Sequence, residues 1–251
     1  LHQGREIIWW SERTGRGNYY LYDGNGRLKG RITQGDKLVA GRIEYLDLKK
    51  RRLVFIGYGD RQAYDPEYVY YYVADLNGKR QQTLTYGNGT HELQFSEDHR
   101  FAIDSYSRMD MPTVYNVVDV DAPTKHFEFA RCTDKDLKAA GWQAPVLIDV
   151  PAADGKTHLY GVMYLPTHLD KTKKYPIISF VYPGPQDDQI PRSFTLDDAG
   201  NQSLAEMGFV VINVQPRGSS PLRGHDFYCF GYGNLRDYPI ADDKHTIETL
   251  A

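Results

Sequence analysis

Two tyrosine-rich runs, Tyr19-Tyr20-Leu21-Tyr22-Asp23 and Val69-Tyr70-Tyr71-Tyr72-Val73-Ala74-Asp75, line up at an offset of 52 residues, measured from Asp23 to Asp75. At the same offset Asn25 matches Asn77, Gly26 matches Gly78, Thr33 matches Thr85 and Gly35 matches Gly87, while Arg27 and Lys79 are similar. Each copy reads as an aromatic strand, a tight Asp-x-Asn-Gly turn, a second strand, then a threonine and a glycine. Other strand candidates fall at residues 52–57 and 100–106, and a decayed third copy begins at Val114-Tyr115-Asn116-Val117-Val118-Asp119. A period of about 50 residues with about four strands per unit predicts blades of a β-propeller. Unrelated hairpins sharing Asn-Gly turns account poorly for so many identities at one offset. About two and a half units fit into residues 1–131, and a closed ring needs roughly 4–8 blades, so further blades are expected before Leu1.

From about residue 136 the pattern changes. Residues 134–141 read as a short helix ending at Gly141. Residues 148–153 and 158–165 read as a hairpin around Asp154-Gly155-Lys156, stopped by Pro166. Residues 203–207 look helical and close at Gly208; residues 209–214 are a fully apolar strand. Residues 237–251 form an amphipathic helix with Ile240, Ile247 and Leu250 as its apolar positions. Unbroken apolar strands alternating with helices predict a parallel α/β sheet. The fold class is therefore multidomain β plus α/β, with propeller blades over 1–133 and an α/β domain over 134–251.

Within the second part, Ile177-Ile178-Ser179-Phe180-Val181 runs into Tyr182-Pro183-Gly184-Pro185. An apolar run that stops so abruptly reads as a buried strand delivering a phenol to the rim of the sheet. Chemistry in open α/β sheets gathers beyond the carboxyl ends of the strands, which makes Tyr182 the candidate site residue. The alternative is a buried tyrosine bonded to backbone at a strand end.

These motifs resemble the prolyl oligopeptidase family of serine peptidases, in its dipeptidyl peptidase IV branch. The resemblance covers essentially the whole chain. It rests on Trp10-Ser11-Glu12-Arg13, Asp154-Gly155, Lys174-Tyr175-Pro176, Val181-Tyr182-Pro183-Gly184-Pro185, and Pro216-Arg217-Gly218-Ser219 followed by Arg223-Gly224 and Phe227. It implies a β-propeller capping an α/β-hydrolase domain, so that the chain holds C-terminal blades followed by the N-terminal half of the hydrolase. It also implies release of amino-terminal dipeptides from a peptide substrate by a Ser-Asp-His triad, with Tyr182 as the oxyanion-hole tyrosine. No cofactor or metal is implied. Bacterial relatives are often periplasmic and many are dimers, but the residues themselves carry no signal for compartment. Pro183 stands where the family commonly has a small residue, which would stiffen the turn and re-aim the phenol. Gln215-Pro216 stands where many relatives place Asp, and Arg217 is expected to be a scaffold ion pair that orders the following loop.

The hydrolase nucleophile sits in Gly-x-Ser-x-Gly. None of the nine serines has glycine two residues away on both sides, so serine, acid and histidine are expected past Ala251, and the chain alone is expected not to hydrolyse peptides. The paired glutamates that hold a substrate's amino terminus are expected upstream. Two rival readings share the scaffold: a non-catalytic peptide-binding or interaction module, and an acylaminoacyl-peptidase or esterase. Position 1 is Leu with no signal-peptide pattern after it, as expected for an excised piece of a longer protein.

Composition excludes little more. A net charge of −3 argues against a nucleic-acid surface, and no apolar run reaches the length of a membrane helix. Lys49-Lys50-Arg51-Arg52 reads as a solvated hairpin turn, and Asp197-Asp198 and Asp242-Asp243 as acidic pairs favouring helix starts. The eight histidines and two cysteines lack metal-ligand spacing. Raw sheet edges predict self-association.

Overall fold

A computed structural model describes residues 1, 4–61, 64–182, 187, 189–196 and 198–251. Contacts divide it into two units: Leu1–Tyr106 with Val114–Arg131 and Leu222–His225, and Ser107–Thr113 with Cys132–Pro221 and Asp226–Ala251. Among the described residues no helix is long and apolar enough to cross a membrane.

The first unit is built from three sheets of consecutive strands. Sheet 1 holds β1 (Glu6–Ser11), β2 (Asn18–Asp23) and β3 (Leu28–Arg31). Sheet 2 holds β4 (Val39–Asp47), β5 (Arg52–Tyr58), β6 (Tyr70–Asp75) and β7 (Gln81–Thr83). Sheet 3 holds β8 (Thr90–Phe95), β9 (Phe101–Arg108), β10 (Met111–Asp119) and β11 (His126–Arg131).

The 52-residue repeat does the same work in each copy. Thr33 Oγ1 accepts the Tyr19 N–H at 3.1 Å, and Thr85 Oγ1 accepts the Tyr71 N–H at 3.0 Å. Gly26 donates to Asp23 O at 3.1 Å and Gly78 to Asp75 O at 2.8 Å. Both glycines have positive φ, +81° and +71°, which a side chain would strain. Alternating side chains along the strands fill the spaces between sheets. Leu21 of sheet 1 clusters with Leu53, Phe55, Tyr72 and Ala74 of sheet 2, and Phe55 stacks on Tyr72 at 5.4 Å between ring centroids. The alternate residues of sheet 2, Val54, Tyr71 and Val73, cluster with Ala102 of sheet 3.

Carboxylates clamped by the basic run stitch neighbouring sheets together. Glu6 of β1 accepts Arg51 Nη1 at 2.9 Å and Lys29 Nζ at 2.6 Å. Asp121, just past β10, accepts Lys50 at 2.7 Å and Arg52 at 2.6 Å. The run 49–52 forms the exposed β4–β5 hairpin turn, as expected, and three of its four cations also pair with carboxylates.

The second unit contains α1 (Lys135–Ala139), β12 (Val146–Pro151), β13 (His158–Tyr164), β14 (Ile177–Ser179), α2 (Asn201–Glu206), β15 (Val210–Val214), α3 (His225–Tyr228) and α4 (Ile240–Leu250). Its sheet has the order β12-β13-β15-β14, with β12, β13 and β15 antiparallel in turn and β14 parallel to β15. On one face Ile212 and Val214 pack with Leu159, Ile247 and Leu250. On the other Val211 packs with Val162, Tyr164 and Ala205 of α2. Cover on both faces explains why β15 is apolar at successive positions.

Two expectations need correction. The run ending at Tyr182 is not a buried strand: β14 is three residues long and half-buried, with one neighbouring strand among the described residues. Ile240 is exposed, being the first residue of α4, whereas Asp242 and Thr246 take the buried positions. The acidic pair at 242–243 lies in the first turn of α4, as expected of a helix start, but makes no cap hydrogen bond, and Asp242 is held in an ion pair.

Glu6 is held at about 2, against an ordinary 4.5, chiefly by its hydrogen bond to Arg51 and next by Lys29, against the opposing effect of burial. A carboxyl depressed in the folded state contributes stability that is full above its unfolded value and is lost as pH falls through the folded one. Glu6→Gln should therefore flatten the loss of stability between pH 4.5 and about 2, followed as thermal midpoints by circular dichroism. Identical acid limbs in wild type and variant would show that the clamp contributes nothing.

Candidate functional site

The parallel pair β14 and β15 sends two segments away from the same edge of the sheet. After β14 the Phe180 N–H still donates to Ile212 O at 2.8 Å, so the ladder runs one residue past the strand. Tyr182 follows two residues later, and its side chain is 46% exposed. It is not the buried tyrosine of the alternative reading. The adjoining residues 183–186, including the Pro183 whose stiffness bears on the aim of the phenol, lie outside the described residues.

The base of this segment is anchored. Ser179 Oγ in β14 donates a short hydrogen bond to Asp243 Oδ1 in α4. Val181 lines a small crevice with Val214, Pro216, Asp242 and Thr246. The second acid of the 242–243 pair therefore fixes a strand rather than a helix end.

After β15 the chain turns through Pro216-Arg217-Gly218-Ser219. Ser219 Oγ donates to Pro216 O at 2.6 Å, and Gly218, at φ +95°, packs so tightly that an added Cβ would meet the Tyr238 ring at 2.5 Å. The turn places each of the three Arg217 guanidinium nitrogens on a carboxylate oxygen. Asp242 Oδ2 accepts the Arg217 backbone N–H at 3.1 Å and Nε at 2.9 Å, while Oδ1 accepts Nη2 at 2.8 Å. Asp154, in the β12–β13 turn, accepts Nη1 at 2.8 Å, and the Phe230 ring lies 4.1 Å from the guanidinium carbon. Asp242 also accepts the Ala153 N–H at 3.0 Å. Its side chain is fully buried and that of Arg217 13% exposed.

Electrostatics follow from these contacts. The hydrogen bond to Asp242 raises the Arg217 pKa above its ordinary value despite desolvation. The Thr157 and Lys156 N–H groups, with the Thr157 hydroxyl and Arg217, hold the Asp154 carboxyl well below the usual carboxylate range. A guanidinium so consumed is a scaffold ion pair, as expected for Arg217. The sequence reading gave no partner to Arg217. The available signal was helical spacing, since Asp242 lies one turn before Thr246 and two before Leu250, on the buried side of α4.

The other acidic pair divides. Asp198 accepts the Tyr164 hydroxyl at 2.8 Å and Asn201 Nδ2 at 3.0 Å, and Asp197 lies outside the described residues. No group of three metal-ligating side chains occurs among the described residues. Neither Cys132 nor Cys229 forms a disulfide.

Comparison with known proteins gives one consistent answer. Residues 1–113 match the model of the dipeptidyl peptidase IV N-terminal region. Human dipeptidyl peptidase 8 is 29% identical over 232 residues, covering 88% of this chain and 25% of that protein. Dipeptidyl-aminopeptidase B of Aspergillus niger is 26% identical over 225 residues, covering 86% of this chain and 24% of that protein. The chain thus spans about a quarter of the length of these curated relatives. The crystal structure of Porphyromonas gingivalis dipeptidyl peptidase 4 superposes with a TM-score of 0.75 at 23% identity, over 94% of this chain and 32% of that one.

Removing Asp242 would leave a buried guanidinium without its main counter-charge. Breaking a buried pair from one side costs about 3–5 kcal/mol. Asp242→Ala should lower the stability of the second unit by that order in urea denaturation, with amides of β12, β13 and β15 losing protection in hydrogen exchange. A loss below about 1 kcal/mol, the range of an exposed pair, would show that the guanidinium finds water instead.

Proposed function

We propose that the chain, whose residues 1–113 match the model of the dipeptidyl peptidase IV N-terminal region, is part of a serine exopeptidase releasing amino-terminal dipeptides from peptides, by cleavage after proline or alanine. In this reading residues 1–133 are blades of a β-propeller. Residues 134–251 are the N-terminal part of an α/β-hydrolase domain, and the assembly is a homodimer.

The observation that carries the reading is the place of Tyr182. Its half-exposed phenol stands just beyond the carboxyl end of a strand that runs parallel to its neighbour. Nucleophilic attack on a peptide carbonyl moves negative charge onto the carbonyl oxygen. A phenol O–H is neutral and needs no prior deprotonation, so it donates to that oxygen as the charge develops and more strongly than in the ground state. Ser179 and Asp243 fix the strand from which the phenol projects, which lowers the reorganisation needed at that moment. Arg217 keeps the neighbouring turn in place without touching substrate.

An oxyanion donor has work to do only where a nucleophile forms the tetrahedral intermediate. The 251-residue chain holds no Gly-x-Ser-x-Gly, and purified alone it should not turn over a Gly-Pro chromogenic substrate. In a longer chain that carries the nucleophile, Tyr182→Phe should lower kcat about 100- to 1,000-fold, with KM little changed. Full activity of the phenylalanine variant would remove Tyr182 from the site. Turnover by the 251-residue chain would show that a nucleophile lies within it.

A further inference from the structure

The two threonines of α4 use their hydroxyls differently. A threonine inside a helix commonly returns its hydroxyl to the carbonyl four residues back, and Thr249 does so, donating to His245 O at 2.8 Å. Thr246, one turn earlier, does not. It is 1% exposed, and its Oγ1 has no hydrogen-bond partner among the described residues. A buried hydroxyl in that state carries its full desolvation cost.

Thr246 borders the small crevice already described, together with Asp242 and Asp243. The rest of the lining, Leu159, Val181, Val214 and Pro216, has apolar side chains. The crevice has a volume of about 10 Å³, which admits one water and nothing larger. Of the two carboxylates, Asp242 is spent. Its oxygens accept the Ala153 N–H and three N–H groups of Arg217, which fills the roughly four lone-pair positions of a carboxylate. Asp243 is not spent, since Ser179 engages only its Oδ1.

We propose that this crevice is a binding site for one water molecule, held between the Thr246 hydroxyl and Asp243 Oδ2. The water donates one O–H to the carboxylate and accepts the Thr246 O–H, so the two unsatisfied groups meet through it. A hard cation is the wrong guest: it takes about six oxygen ligands, and one hydroxyl with one carboxylate oxygen does not supply them. Asp243 also receives the Ser179 hydroxyl of β14, so the water extends the hydrogen-bonded contact between helix and strand. All the lining residues belong to the second unit, and the site is independent of the peptidase reading.

With selective methyl labelling, the 251-residue chain should show nuclear Overhauser contacts from a long-lived water to the methyl groups of Thr246 and Val214. Thr246→Val keeps the outline of the side chain and removes the hydroxyl. With water in place the variant loses a hydrogen bond, and the unfolding constant of the second unit in urea should rise roughly 2- to 10-fold. Around a dry hydroxyl the same change would relieve a buried unsatisfied group and lower that constant. Thr246→Ser, which keeps the hydroxyl, should retain the water contact at Val214. Replacing sodium by potassium or choline should leave the thermal midpoint unchanged. The proposal is overturned by a wild-type chain without the water contact, by a Thr246→Val unfolding constant that is unchanged or lower, or by a midpoint that follows the cation. The wild-type contact decides the matter even if the valine variant does not fold.

Discussion

The second unit depends on burying the positive charge of Arg217. A guanidinium out of water is tolerable only when its donors meet acceptors and a counter-charge lies close by. Asp242 and Asp154 meet that condition from two different elements, α4 and the β12–β13 turn, while the arginine itself follows β15. One side chain therefore ties the hairpin, the central strand and the closing helix to a common point. The Phe230 ring lies over its face in a cation–π contact. A sliding helix or a shifted hairpin would leave a buried charge unpaired.

That fixed point lies beside the edge at which Tyr182 emerges. Val181 borders the same small crevice as Pro216 and Asp242, and Asp243, next in sequence to the ion-pair partner, holds Ser179. The two acids of α4 thus divide the labour, one anchoring the turn after β15 and the other the strand β14. A donor for a transient oxyanion gains from such rigidity, since the hydrogen bond must be aimed before the charge appears. The first unit is organised differently. There the repeated face-to-face packing supplies most of the burial, and carboxylates at Glu6 and Asp121 mark where one sheet meets the next.

Much of this was legible before any coordinates. Identities at one offset give the repeat because each has a local job: Asn-Gly closes a turn, and the threonine hydroxyl accepts a strand N–H. β2, β5, β6 and β15 are legible from aromatic or β-branched runs. β4, the joint longest strand, was missed; its register shifts between Ala40 and Ile43 and again between Ile43 and Tyr45, which erases the two-residue alternation. β11 was missed because every one of its residues is exposed and carries no burial pattern. The basic run is legible as a hairpin turn, but charge pattern alone does not reveal a partner such as Asp121, some 70 residues away in sequence.

The amino-acid sequence by itself determined the repeat, the change from β to α/β patterning, the place of Tyr182 at the end of an apolar run, and the resemblance to the dipeptidyl peptidase IV family. All of these are written in local spacing and residue type. Tertiary structure alone decided that Asp242 serves Arg217 instead of capping a helix, that β14 is short and its tyrosine exposed, and which carboxylates meet the basic run. Each of those outcomes depends on which distant group arrives as a neighbour, and a buried charge has no meaning until the neighbours are in place.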